Sequence, residues 1–122
     1  MASPNLFLLY VEDTPKSVAF YTGLLGREAA VASPNFASFA LDGGGALGLW
    51  ARHKAVPPVA QAGTEGEIAF MVKDKAAIEA LYADWTARGL AIAQEITTLD
   101  FGPTFVALDP DGHRLRVCLF DE

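Results

Sequence analysis

Apolar positions along this chain come in short runs and in helical stripes, and the two kinds take turns. Leu6-Phe-Leu-Leu-Tyr-Val11 is a brief apolar run of strand length. It breaks at Glu12-Asp-Thr-Pro15, a helix-start signal with Thr14 as the N-cap and Pro15 at the first helical position. From Ser17 the residues Val18, Tyr21, Leu24 and Leu25 recur at helical spacing, and Gly26 supplies the stop. Three pieces of strand composition follow, at 29–32, 36–41 and 46–52, separated by Ser33-Pro34-Asn35 and Asp42-Gly-Gly-Gly45. The predicted order is β-α-β-β-β.

The same order then recurs. After a linker at 53–65 that holds Pro57-Pro58 and Gly63, Glu67-Ile-Ala-Phe-Met-Val-Lys-Asp74 reads as a strand ending on an Asp able to cap a helix. The second helix carries Ile78, Leu81, Tyr82 and Trp85 on one stripe and stops at Gly89. Strand candidates follow at 91–96, 101–108 and 114–120, the last two joined by the Asp109-Pro-Asp-Gly112 turn. Val11 and Asp13 overlay Val72 and Asp74 at an offset of 61, and the same offset sets Leu6 opposite Glu67. A duplicated unit is implied, with modules at 1–52 and 66–122 inside a single domain of 122 residues. Each sheet must bury one face on its helix, and two remaining faces set against each other would make a cleft.

Composition narrows the function classes. With 52% apolar residues and 11% aromatics the chain has ample material for a core. A net charge of −6, with Lys and Arg scattered, gives no electrostatic footprint for nucleic acid. No apolar stretch approaches the roughly 20 residues that cross a bilayer, and no signal peptide is evident, so a cytoplasmic location without membrane contact is expected. Cys118 is alone, which excludes an intrachain disulfide.

The run Val11-Glu-Asp-Thr-Pro-Lys-Ser-Val-Ala-Phe-Tyr-Thr-Gly-Leu-Leu-Gly26, the strand "EIAFMVKD" and the closing "DPDGHRLRV" resemble the vicinal oxygen chelate superfamily, the group of glyoxalases, bleomycin resistance proteins and dioxygenases. The resemblance implies an α+β fold of two tandem βαβββ modules forming a half-open, barrel-like cleft. It also implies metal ligands at the start of the first strand and in the last strand of each module. Carried over, those places are Leu6, Gly48, Glu67 and Arg116, of which only Glu67 is able to bind a metal. No metal and no cofactor is therefore expected.

In the last strand Leu115, Val117 and Leu119 alternate with Arg114, Arg116 and Cys118, so Arg116 faces the cleft if the apolar set packs on the helix. Neighbouring first and last strands would bring Glu67 within reach of Arg116, and an ion pair is expected where the family holds its metal. The alternative is an arginine snorkelling at the rim. Gly48 and Trp50 face the cleft if Leu47 and Leu49 are core; a one-residue shift would instead put Trp50 under the helix. The first register is preferred because it buries both leucines. Phe101 and Phe105 flank Gly102-Pro103 and form either a pocket wall or a hydrophobic tuck. His53, His113 and Cys118 carry no mechanism on this reading.

The stretch at 33–41 running into Leu47-Gly-Leu-Trp50 is similar to the antibiotic-resistance branch of the family, especially phenazine and bleomycin resistance proteins. That similarity implies a homodimer that sequesters a small planar aromatic compound. The ligand-binding residues expected in the first module are Leu6, Leu8, Tyr10, Gly48 and Trp50. In the second they are Glu67, Met71, Phe101, Phe105 and Arg116. The competing expectation is an enzyme of the same family, a lyase or oxidoreductase acting on a small molecule, or a metal-independent one with Glu67 as general base.

Overall fold

Both β-α-β-β-β runs take shape in the computed structural model, which describes residues 4–59 and 66–120. The chain divides into two compact units, Met1–Ala62 and Gly63–Glu122. The first contains β1 (Leu6–Val11), α1 (Thr14–Leu25), β2 (Val31–Ser33), β3 (Phe36–Ala40) and β4 (Ala46–Ala51). The second contains β5 (Glu67–Val72), α2 (Lys75–Ala87), β6 (Ala91–Leu99), β7 (Gly102–Leu108) and β8 (Arg114–Leu119). Arg52, expected to end the last strand of the first module, instead joins His53 and Lys54 of the expected linker in a short 3-10 turn, Arg52–Lys54, while 60–65 lies outside the described residues.

The two sheets share one topology. The first is ordered β1-β4-β3-β2 and the second β5-β8-β7-β6, with the first and last strands of each unit parallel and the other pairs antiparallel. Parallel neighbours need a crossover, and α1 and α2 provide it.

Local signals account for the helix ends, with one correction. Asp13, not Thr14, is the first N-cap: its carboxylate accepts from the Lys16 N–H at 3.1 Å, which leaves Thr14 as the first helical residue and puts Pro15 in the first turn. Asp74 repeats the device, accepting from the Ala77 N–H at 2.9 Å. An Asp carboxylate is the stronger acceptor for the orphan first-turn N–H groups, and Pro15 tolerates a place where its missing N–H costs nothing. Gly26 closes α1 at φ 65°, a left-handed conformation that a side chain disfavours.

Period-2 alternation assigns the faces. In the first unit Val11, Tyr21, Ala37, Phe39, Leu47 and Leu49 are buried between sheet and helix, with the Tyr21 and Phe39 rings 6.5 Å apart. In the second, Ile78, Trp85, Phe105, Ala107, Leu115 and Val117 do the same work. Phe105 sits edge-on to both Tyr82 at 5.2 Å and Trp85 at 5.5 Å. Each such buried aromatic removes some 150–250 Å² from water, the main contribution to holding the helix on its sheet.

Candidate functional site

With the cores assigned, the face of each sheet turned away from its helix can be read residue by residue. On the first sheet the ladder aligns Leu8 with Gly48 and Tyr10 with Trp50 on one side of β4, and Ser38 with Gly48 and Phe36 with Trp50 on the other. Leu47 and Leu49 are buried, so Gly48 and Trp50 stand on this open face. A Cβ built on Gly48 would meet Leu8 Cδ2 at 2.6 Å, Leu6 Cδ1 at 3.3 Å and Phe36 Cε1 at 3.5 Å, which puts those three side chains over the glycine. The Tyr10 and Trp50 rings lie beside them, 6.2 Å apart and tilted by 36°. Leu6, Leu8 and Tyr10 remain 39–46% exposed. The result is an apolar, aromatic surface, with no Asp, Glu, Lys or Arg in any of its four strands.

The open face of the second sheet is built differently. Arg116 Nε donates to Glu67 Oε1 at 2.8 Å and Nη2 to Oε2 at 3.1 Å, a two-pronged, charge-assisted contact. Its Nη1 donates to Thr104 Oγ1 at 3.1 Å and, more weakly, to Gln94 Oε1 at 3.4 Å. The buried Thr104 hydroxyl donates in turn to the Val117 carbonyl at 2.7 Å, so its orientation is set before Arg116 reaches it. Arg114 Nε forms a second ion pair with Glu67 Oε2 at 3.1 Å. The Phe101 ring closes the arrangement, its centroid 5.8 Å from the Arg116 guanidinium carbon. Only 15% of the Arg116 side chain is exposed, which separates it from a rim residue waving in solvent.

Electrostatics follow from this geometry. The hydrogen bond from Arg116 holds the Glu67 carboxyl below the usual carboxylate range, against the upward push of partial burial, and the charges of Arg116 and Arg114 add to the lowering. Glu67 raises Arg116 in return.

The residues at the family's ligand places do not fit a divalent cation. Leu6 and Gly48 offer no donor atom, Arg116 brings a positive charge, and both Glu67 oxygens are already engaged by guanidinium groups. Among the described residues the single cluster of ligating side chains is Asp109, Asp111 and His113 in the β7–β8 turn. There Asp109 Oδ1 accepts from the Asp111 and His113 N–H groups at 2.9 and 2.8 Å, and Oδ2 lies 2.7 Å from His113 Nδ1, so the carboxylate is spent on shaping the turn.

Of the residues predicted for ligand binding, Leu6, Leu8, Tyr10, Gly48 and Trp50 share the open face of the first sheet. Glu67, Arg116 and Phe101 come together on the second, and Met71, 47% exposed, stands on the same side of β5 as Glu67. Phe105 is the correction. It pairs with Val117 in the ladder, faces α2 and has no exposed surface, so it belongs to the core. Gln94, Thr104 and Phe36 enter the two surfaces without having been predicted there, and Arg114, in the cleft-facing set of the last strand, joins them as an unexpected partner of Glu67.

The glyoxalase/bleomycin resistance protein/dioxygenase superfamily model matches residues 3–117. The chain belongs to that superfamily. Within it, the chain is 31% identical over 98% of its length, and 93% of the relative's, to the phenazine antibiotic resistance protein EhpR of Enterobacter agglomerans. A solution structure of an Agrobacterium tumefaciens protein is 43% identical over the whole of both chains, with a TM-score of 0.90. A more distant superfamily structure, from Nocardioides, superposes at a TM-score of 0.81 with 22% identity, over 99% of this chain and 85% of that one; it speaks for the fold alone.

Proposed function

We propose that this superfamily member is a metal-free binding protein that sequesters a small planar aromatic compound, an antibiotic in its biological setting. The observation that carries the reading is the open face of the first sheet, where Tyr10 and Trp50 flank a glycine floor and no strand residue is charged. Stacking needs flat apolar contact area, and two adjacent tilted rings supply it. The 31% identity to a phenazine resistance protein supports the same class of ligand. A homodimer and a cytoplasmic location belong to this reading.

The enzymatic alternative asks Glu67 to act as a general base. A carboxylate whose two oxygens are held by arginines, and whose pKa is lowered by them, is a weak base near neutrality.

Phenazine titrated into the protein should quench Trp50 fluorescence while the buried Trp85 stays as background. Trp50→Ala should weaken binding by roughly 1–3 kcal/mol, the range for removing a stacked aromatic anchor. Unchanged affinity in that variant would overturn the stacking role. Chemical conversion of phenazine during the titration would favour the enzyme.

A further inference from the structure

The open face of the first sheet holds a hydroxyl that the fold does not use. Ser38 stands in the middle of β3, half-buried, aligned with Gly48 on one side and Val31 on the other. Residues aligned across a ladder share a face, so Ser38 belongs to the same surface as Gly48 and Trp50. Other strand hydroxyls are committed to backbone carbonyls: Ser33 donates to Phe36 at 3.0 Å, Thr97 to Glu95 at 2.8 Å and Thr104 to Val117 at 2.7 Å. Among the described residues the Ser38 side chain has no such partner.

Nothing in the architecture asks for a hydroxyl at this place. Ser38 caps no helix and lies in no turn. The second sheet does without one: Arg116 holds the ladder position of Gly48, and its antiparallel partner, the counterpart of Ser38, is Val106. A half-buried hydroxyl with no protein partner loses hydration when a ligand covers it, and the loss is recovered only if the ligand supplies a partner. The surroundings restrict that partner. No strand of this sheet carries a charged residue, so polar recognition here is left to neutral hydrogen bonds. The carbonyls of the central strands β3 and β4 are engaged in the ladder, which leaves the surface short of acceptors, whereas Ser38 can donate. Side chains rise from the strands that carry them, so a flat molecule stacked on Tyr10 or Trp50 meets the sheet along its rim, where in-plane lone pairs lie.

We propose that Ser38 is a specificity-determining residue of the first-sheet surface, its hydroxyl donating to an in-plane acceptor, a ring nitrogen or ring carbonyl oxygen, of a heteroaromatic ligand. The inference rests on the sequestration reading, and every residue it invokes belongs to the first unit.

The test compares quinoxaline, a bicycle with two ring nitrogens, with naphthalene, the same bicycle without them. Each is titrated into isotopically labelled full-length protein and followed by NMR through the Trp50 indole N–H signal. The ratio of quinoxaline to naphthalene affinity should fall about threefold to tenfold in Ser38→Ala, the size of one neutral hydrogen bond. Ser38→Thr keeps the hydroxyl on a residue suited to strands and should hold the ratio near the wild-type value. A ratio unchanged in Ser38→Ala, with both probes bound, overturns the role of Ser38 and leaves sequestration standing. A ratio that falls as far in Ser38→Thr assigns the effect to shape and overturns that role as well. Binding of neither probe overturns sequestration and the role of Ser38 together.

Discussion

Breaking the Glu67–Arg116 contact measures how far it departs from an ordinary surface ion pair. Exposed pairs couple by about 0.2–1 kcal/mol, whereas hydrogen bonds to charged groups in drier surroundings reach about 1.5–3 kcal/mol. With side-chain exposures of 15% and 30%, two good N–H···O contacts and a Thr104 hydroxyl fixed by the Val117 carbonyl, this pair falls between those regimes. Arg114 lowers the expected value, because it keeps Glu67 partnered when Arg116 is lost. A coupling energy of about 1–2 kcal/mol is therefore expected from a double-mutant cycle of Glu67→Gln, Arg116→Met and the double variant. The assay is urea unfolding near neutral pH in a Trp50→Phe background, so that Trp85, packed on Phe70 and Phe105, reports on the second unit. The pKa of Glu67 is lowered on folding, so its contribution is complete above the unfolded value of about 4.3 and fades as pH falls through the lower folded value. A coupling below about 0.2 kcal/mol at neutral pH, under the range of even exposed pairs, would refute the geometry as an energetic unit. So would a coupling unchanged once the carboxylate is protonated.

Two further outcomes are expected. Gly48→Ala should change stability by less than about 1 kcal/mol, since Leu8 Cδ2 at 2.6 Å is the tip of a flexible side chain and its rotamer cost offsets the gain of Ala over Gly in a strand, yet phenazine affinity should fall as Leu8 is pushed out over the open face. Thermal melts and calorimetry check both halves, and a loss beyond about 3 kcal/mol would show that Leu8 cannot yield. The hydrogen bond that His113 donates to Asp109 raises the pKa of His113 against the effect of its burial, with the Asp109 and Asp111 charges adding, so its stabilisation is complete below the unfolded value of about 6.5 and is lost as pH rises through the folded value. Asp109→Asn should flatten that decline in melts recorded across neutral pH, and a decline that persists would assign it elsewhere.

Much of this architecture was legible because local signals and periodicity agreed. The order of strands and helices, Gly26, and the burial of Leu47 and Leu49 follow from patterns a few residues long, and the last of these settles which way Trp50 faces, whereas β2, expected at 29–32, forms at Val31–Ser33 and β6, expected at 91–96, runs on to Leu99. The Glu67–Arg116 contact was legible too, since it needs only strand neighbours and alternation. Phe105 was misplaced although the information was present: counting back across the Asp109–Gly112 turn pairs it with Val117, a core residue. Gln94 was not recoverable in this way. Register shifts in β6 on both sides of it break the two-residue period, so no count along the chain could assign its face. Arg114 was visible as a residue but not as a participant, because its role depends on sharing Glu67 with a second arginine.

The two units also separate what holds the protein together from what it can recognise. Corresponding places in the last strands are Leu47 with Leu115 and Gly48 with Arg116, both at an offset of 68. The leucines, pressed against their helices, are the same in both copies, while the residues one step along are a glycine covered by Leu6, Leu8 and Phe36 in one copy and a guanidinium in the other. Alternation along a strand thus gives each copy a side held by packing on its helix and a side whose chemistry differs between the copies. A lineage built this way can exchange one ligand for another by altering every second residue, with its foundations untouched.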